Sequence, residues 1–349
     1  MKTGKLLTAV LILFGILLIG GAAIIRFAVT PGLTNLSYES DGGGLYVGTL
    51  STPNPDPAAA GSPITTAVDA DVSTEIKSIS GDTAIVETLS EMYASPRTSS
   101  DLEPIVVDRH TYAVDRQDYL QAPAPSGTAV EDQKSAITIG FPSDYEHREL
   151  SIYDSVTGEP QALAAAGTVE VDGRTLDKFT VDASAPVKDP AVLDPLRAGL
   201  GQQFGTDGTW VPKAALLALG LPAALVDLSP DQIPVAYVQQ TAAEILVDQR
   251  FGTIVDTSRT SSNTANLEIP GQSVPIPLSE TSLQASDELV TSTISKLNSA
   301  QTTLTFLSIW LPIAMLIVGV ILLVGAFWNG TRKRGVSQEV PTPLSSVGL

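Results

Sequence analysis

The chain opens and closes on uninterrupted apolar runs, and between them hydrophobic and polar positions alternate. Leu6 to Ile25 reads LLTAVLILFGILLIGGAAII and Phe306 to Trp328 reads FLSIWLPIAMLIVGVILLVGAFW, neither with an ionisable side chain. A helix advances about 1.5 Å per residue, so about 20 such residues cross the hydrocarbon core of a bilayer. Both runs meet that length and nothing between them does. Trp310, Phe327 and Trp328, near the ends of the second run, fit an interfacial aromatic belt. The first run also has the basic start and small residues (Gly21, Ala22, Ala23) of a cleaved signal peptide, but the apolar region of such a peptide is usually only about 7–15 residues long. The pattern predicts one transmembrane helix near each terminus.

Between the runs the period is mostly two. Glu75 to Ile79 and Ala84 to Leu89 flank Ser80-Gly81-Asp82, a hairpin signal of turn residues between β-prone stretches. A second hairpin is VEVDGRTLDKFTV around Asp172-Gly173, and a third runs from Glu244 to Val255 through Arg250 to Gly252. Ile105 to Val114, Ala136 to Phe141 and Glu149 to Tyr153 read as further strands. Pro190 to Val226 is instead rich in Ala and Leu, which predicts two short helices, the second interrupted at Gly220 to Pro222. Thr281-Ser282-Leu283-Gln284 fits a capping box, and Leu283, Val290, Ile294, Leu297 and Leu304 keep helical spacing into the second span.

The expected fold is therefore α+β: a large β-rich antiparallel domain with short helices, anchored by a helix at each end. Its expected segments are an N-terminus (1–5), a first span (6–26), the domain (27–281), a stalk helix (282–305), a second span (306–328) and a tail without fixed structure (329–349).

Charge decides the orientation. Lys2 and Lys5 precede the first span, and Arg332, Lys333 and Arg334 follow the second, so both short tails belong in the cytoplasm despite Arg26. The middle is then extracytoplasmic. Of 20 Lys and Arg, six lie outside residues 27–305; of 38 Asp and Glu, only Glu339 does. That leaves 14 basic against 37 acidic residues in the domain. Such a surface repels phosphates, which argues against nucleic-acid binding and against docking on anionic headgroups. With no cysteine, disulfides, thiolate metal sites and cysteine nucleophiles are excluded.

Little in the sequence reads as catalysis. The histidines are His110 and His147 alone, neither in a recognisable motif, and no nucleophile elbow, HExxH, P-loop or dinucleotide fingerprint occurs. No catalytic residue, cofactor or metal ligand is picked out, and the protein is read as a non-enzyme. Asp69, Asp71 and Glu75 form an acidic run that lacks the glycine and terminal glutamate of an EF loop and reads as a solvated loop. Ala214 to Val226, at 13 residues too short to span, reads either as a core helix or as an apolar contact surface. On the second reading Leu221, Leu225 and Val226, after the break, are the exposed ligand or partner surface, and Leu217, before it, is packed.

Three patterns carry a resemblance: VVDRHTYAVDR (Val106 to Arg116), FPSDYEHRELSIYD (Phe141 to Asp154) and EILVDQRFGTIVD (Glu244 to Asp256). With a helix at each end they resemble the actinobacterial membrane family known as porin PorA. That resemblance implies a place in the envelope of mycolate-bearing bacteria and a part in handling a lipid or a lipoglycan such as lipomannan. The layout is also similar to that of the class B scavenger receptors for lipids. Three functions are expected in order: binding or passing an amphiphile, serving as an accessory subunit of a membrane enzyme or transporter, and forming a channel, which two bare helices could do only as part of an oligomer.

Overall fold

The computed structural model describes residues 13–14, 16–23, 25, 42–54, 62–97, 103–142, 144–218 and 222–332. Two units divide them: one comprises Leu36–Lys296, the other Met1–Asn35 with Leu297–Leu349.

The first unit is built on a 10-stranded antiparallel sheet. Its strands are β1 (Gly42–Thr52), β2 (Ile64–Ser80), β3 (Thr83–Ala94), β4 (Val106–Asp115), β7 (Ala164–Val171), β8 (Arg174–Pro186), β9 (Trp210–Pro212), β10 (Gln232–Asp248), β11 (Ile254–Ile269) and β12 (Gln272–Ala285). The order is β4-β3-β2-β1-β12-β11-β10-β8-β7, with β9 pairing with the start of β10. The first and last strands meet at the centre, Val47 opposite Gln284. The short strands β5 (Ser151–Asp154) and β6 (Glu159–Ala162) form a separate ribbon.

Turn chemistry places the hairpins where the sequence predicts them. Asp172 and Gly173 both take positive φ, 48° and 77°, which matches the twist of the β7–β8 pair. Between β10 and β11, Asp248 Oδ1 accepts the amides of Arg250 (3.1 Å) and Phe251 (2.9 Å). Gly252 follows at φ +64°, where a Cβ would meet the Phe141 carbonyl at 2.2 Å, so only glycine fits.

One face of the sheet is covered. Helices α2 (Pro190–Phe204), α3 (Lys213–Ala218) and α4 (Ala223–Leu228) bury Leu200, Leu216 and Val226 against Ile233, Tyr237 and Leu267 of β10 and β11. The irregular segment after β4 buries Ile137, Phe141 and Tyr145 against Val181, Ile245 and Val247. A third cluster joins Ile76, Val86, Tyr112 and Val114 of β2 to β4. The other face is polar, with Gln240, Thr260 and Ser262 among its side chains.

Three expectations change. Ala136 to Phe141 forms no strand: Ile137 makes one isolated bridge to Ile152, and its apolar side chains anchor a loop on the sheet. Thr281 to Gln284 cap no helix, because β1 and β11 pair with them from both sides; α5 (Asp287–Thr305) starts later, its Leu289 amide bonded to Ser286 Oγ at 3.2 Å. The acidic run is no loop but part of β2, with Asp71 paired to Arg97 (2.7 Å) and Glu75 to Lys77 (2.6 Å).

In the second unit, residues 16–23 form α1, and the rest of the expected first span lies largely outside the described residues. After α5 a π-helical turn (Phe306–Trp310) leads into α6 (Leu311–Arg332). Among the described residues one helix, Asp287–Trp328, is long and apolar enough to cross a membrane, where two anchors were expected. The expected tail lies outside the described residues from residue 333 onward.

Candidate functional site

The apolar segment predicted as a contact surface is divided the other way round. Val226 is only 6% exposed, packed in the helix-covered core, while Leu217 is 58% exposed. Helix α3 turns Ala215 and Leu216 inward, and at that spacing Leu217 points out. Lys213 Nζ donates to the Asp227 carbonyl at 3.1 Å and ties α3 to α4. Leu221 lies outside the described residues, and of Leu225 only the backbone is described.

The three family-like motifs resolve into side chains that build turns and tie elements together. Asp115 Oδ1 accepts the Gln117 amide at 2.8 Å. Tyr145 donates to Asp177 at 2.5 Å, and Arg148 reaches Asp144 at 2.9 Å. Arg174 donates through Nε and Nη2 to Asp248 Oδ2 at 2.8 and 2.6 Å, in a buried pair.

Asp108 and His110 behave differently. They share with Tyr112 and Val114 the face of β4 that turns toward the core, because alternate residues of a strand point the same way. A backbone bond from Glu131 N to Thr111 O (2.9 Å) lays the following segment beside β4, which brings Glu131 Oε1 to His110 Nδ1 at 2.5 Å. Asp108 Oδ1 lies against His110 Nε2 as an ion pair, without the geometry of a hydrogen bond. Asp189 comes from the far side as the N-cap of α2, its Oδ1 accepting the Ala191 amide at 3.0 Å. Burial alone would push His110 down, but contacts with Asp108 and Glu131 and their charges outweigh it and hold the imidazole at about 10. Asp189 is raised, first by burial and then by the negative charge of Asp108 and Glu131. Tyr153 is pushed up to about 12 by burial and by Glu131. No motif along the chain signals this cluster, because Asp108 with His110, Glu131 and Asp189 lie on three separate segments.

In the helical unit, an open apolar groove of about 460 Å³ runs between α1 and the start of the C-terminal helix. Ile19, Ala22 and Ala23 line one side; Ile309, Ile313 and Leu316 line the other, with Ser308 as a polar group. Gly21 faces Met315, where a Cβ would come within 2.9 Å of the Met315 methyl, so a small residue lets the helices approach.

An open antiparallel sheet with one covered face, together with a helix long and apolar enough to cross a membrane, makes this an α+β protein. The chain belongs to the porin PorA family, which it matches over residues 7–328. No curated protein matches the sequence. Among solved structures, a domain from Vibrio parahaemolyticus described as an outer membrane lipoprotein-sorting protein is similar at 7% identity, covering 75% of this chain and 90% of that one with a TM-score of 0.17. The M. tuberculosis protein Rv2717c is similar at 6% identity over 70% of this chain and 91% of its own, with a TM-score of 0.16. Scores this low establish no shared fold.

Proposed function

We propose that this member of the porin PorA family is a non-catalytic, membrane-anchored protein that binds or passes an amphiphile of the cell envelope, a lipid or a lipoglycan. The observation that carries this reading is the groove between α1 and the C-terminal helix. Its volume of about 460 Å³ falls within the ~300–1,000 Å³ of small-molecule sites. Its walls are aliphatic, and Ala22 and Ala23 keep one side shallow, which suits an acyl chain. On this reading both helices span the bilayer, both termini are cytoplasmic, and the acidic domain stands outside, where its charge leaves recognition to apolar and hydroxyl-bearing groups.

An accessory subunit of a membrane enzyme or transporter is the second reading, for which the exposed apolar side chains of the domain, Ile105 to Val107 and Leu217 among them, are candidate contacts. The family name carries the channel reading, for which several copies would have to surround a pore; planar-bilayer conductance by the purified protein tests it. A photo-crosslinking amino acid at Ile313 separates the first two. Lipid attached to that position supports the amphiphile reading. Capture of protein alone would overturn it in favour of a docking role.

A further inference from the structure

Strand β4 and the start of α2 converge where buried polar atoms outnumber their partners. One ligand atom from each of Asp108, His110 and Asp189 lies within 4.8 Å of the other two. Asp108 Oδ1, His110 Nε2 and Asp189 Oδ2 are buried with no hydrogen bond. The His110 side chain is nine-tenths buried, at 10% exposure. Folded proteins pair such atoms almost without exception; among the described residues Asp108 Oδ1 and His110 Nε2 meet only each other as an ion pair and Asp189 Oδ2 meets neither a hydrogen bond nor an ion pair, so the cluster has room for a shared partner. Charge points the same way. With Glu131, three carboxylates surround one imidazole.

We propose that Asp108, His110 and Asp189 bind a divalent cation, with Glu131 as the positioning residue. One imidazole nitrogen with carboxylate oxygens is the donor set of a zinc-class ion, and three protein ligands leave a further position for water or a ligand oxygen. Glu131 on Nδ1 fixes the ring and leaves Nε2 facing Asp108, the role a carboxylate plays behind a metal-bound histidine. The second oxygen of Asp189 stays on the Ala191 amide, so the helix cap survives metal binding. The cation would pin the start of α2 to β4. This inference is independent of the amphiphile reading, since cluster and groove belong to different units.

The test uses the full chain purified in detergent, stripped with a chelator and titrated with Zn²⁺. One equivalent should survive gel filtration, as read by elemental analysis, and raise the thermal unfolding midpoint. His110→Asn and Asp189→Asn should abolish retention, and Glu131→Gln should weaken affinity by about 10–100-fold. Asp182→Asn, on the open face of the sheet, controls for adventitious binding by an acidic surface and should retain the full equivalent. If a variant fails to fold, Co²⁺ added to the unaltered chain gives a second readout: visible d–d bands displaced by Zn²⁺ support the site. No stoichiometric Zn²⁺ or Co²⁺ binding by the folded chain, or equal retention by the His110 and Asp189 variants, would overturn the proposal.

Discussion

Asp248 does three things at once: it pairs with Arg174, and it accepts two amides of the β10–β11 turn. Both members of the ion pair are almost fully buried, with side chains 8% and 3% exposed. Asp248→Ala removes a buried countercharge together with two turn hydrogen bonds and should cost about 3–5 kcal/mol in chemical denaturation, whereas Asp71→Asn, whose partner Arg97 lies at the surface, should cost at most about 1 kcal/mol. Charge placed on the former candidate surface discriminates in the same way. Val226→Asp should unfold the domain, and Leu217→Asp should leave its melting temperature nearly unchanged. Glu159 gives a pH prediction. Hydrogen bonds from Lys134 and Lys188 depress it from 4.5 to about 2, so its contribution is present above the ordinary carboxylate range and is lost as pH falls through about 2. An NMR titration of its carboxyl carbon should show that low midpoint, and Lys134→Ala should raise it. At this scale the sequence was least legible. Nothing along the chain says that Asp189 lies beside His110, or that Leu216 and not Leu217 faces the core, because three-dimensional packing alone sets both.

Among the elements, the hairpins were legible because their turns are chemical: Gly81-Asp82, Asp172-Gly173 and Arg250 to Gly252 sit between runs of alternating pattern. Helices α2 to α4 were legible from Ala and Leu content, and Pro222 caps the start of α4. What the sequence hid comes from tertiary pairing. Strand β1, opening on Gly42-Gly43-Gly44, is not among the strands predicted from the sequence, yet it is held by full ladders to β2 and β12. Thr281 to Gln284 carry the letters of a capping box but lie in the middle of a sheet, where ladder bonds on both sides outweigh a local cap. The working cap is Ser286, with Asp287 and Glu288 adding favourable charge in the first turn. Ser286→Ala should therefore destabilise α5 by about 0.5–2 kcal/mol, measurable as a lowered melting temperature, while Ser282→Ala should leave the helix start unaffected.

At the scale of the whole molecule, the apolar helix, the acidic domain and the family together place the chain at a membrane. The proposed topology expects a reporter fused after Val336 to be cytoplasmic; an active extracytoplasmic phosphatase there would contradict it. Membrane character was legible at once, since it depends only on local composition. The groove was not, because it needs two segments from opposite ends of the chain side by side. Whether this groove holds an amphiphile is read most directly by native mass spectrometry of the detergent-purified full chain. The unaltered protein should carry an adduct of lipid or lipoglycan mass, and Ala22→Trp, which fills the groove, should remove it without lowering the domain's melting temperature. A chain free of adduct, or an adduct equally abundant in the filled variant, would show that the groove holds no amphiphile.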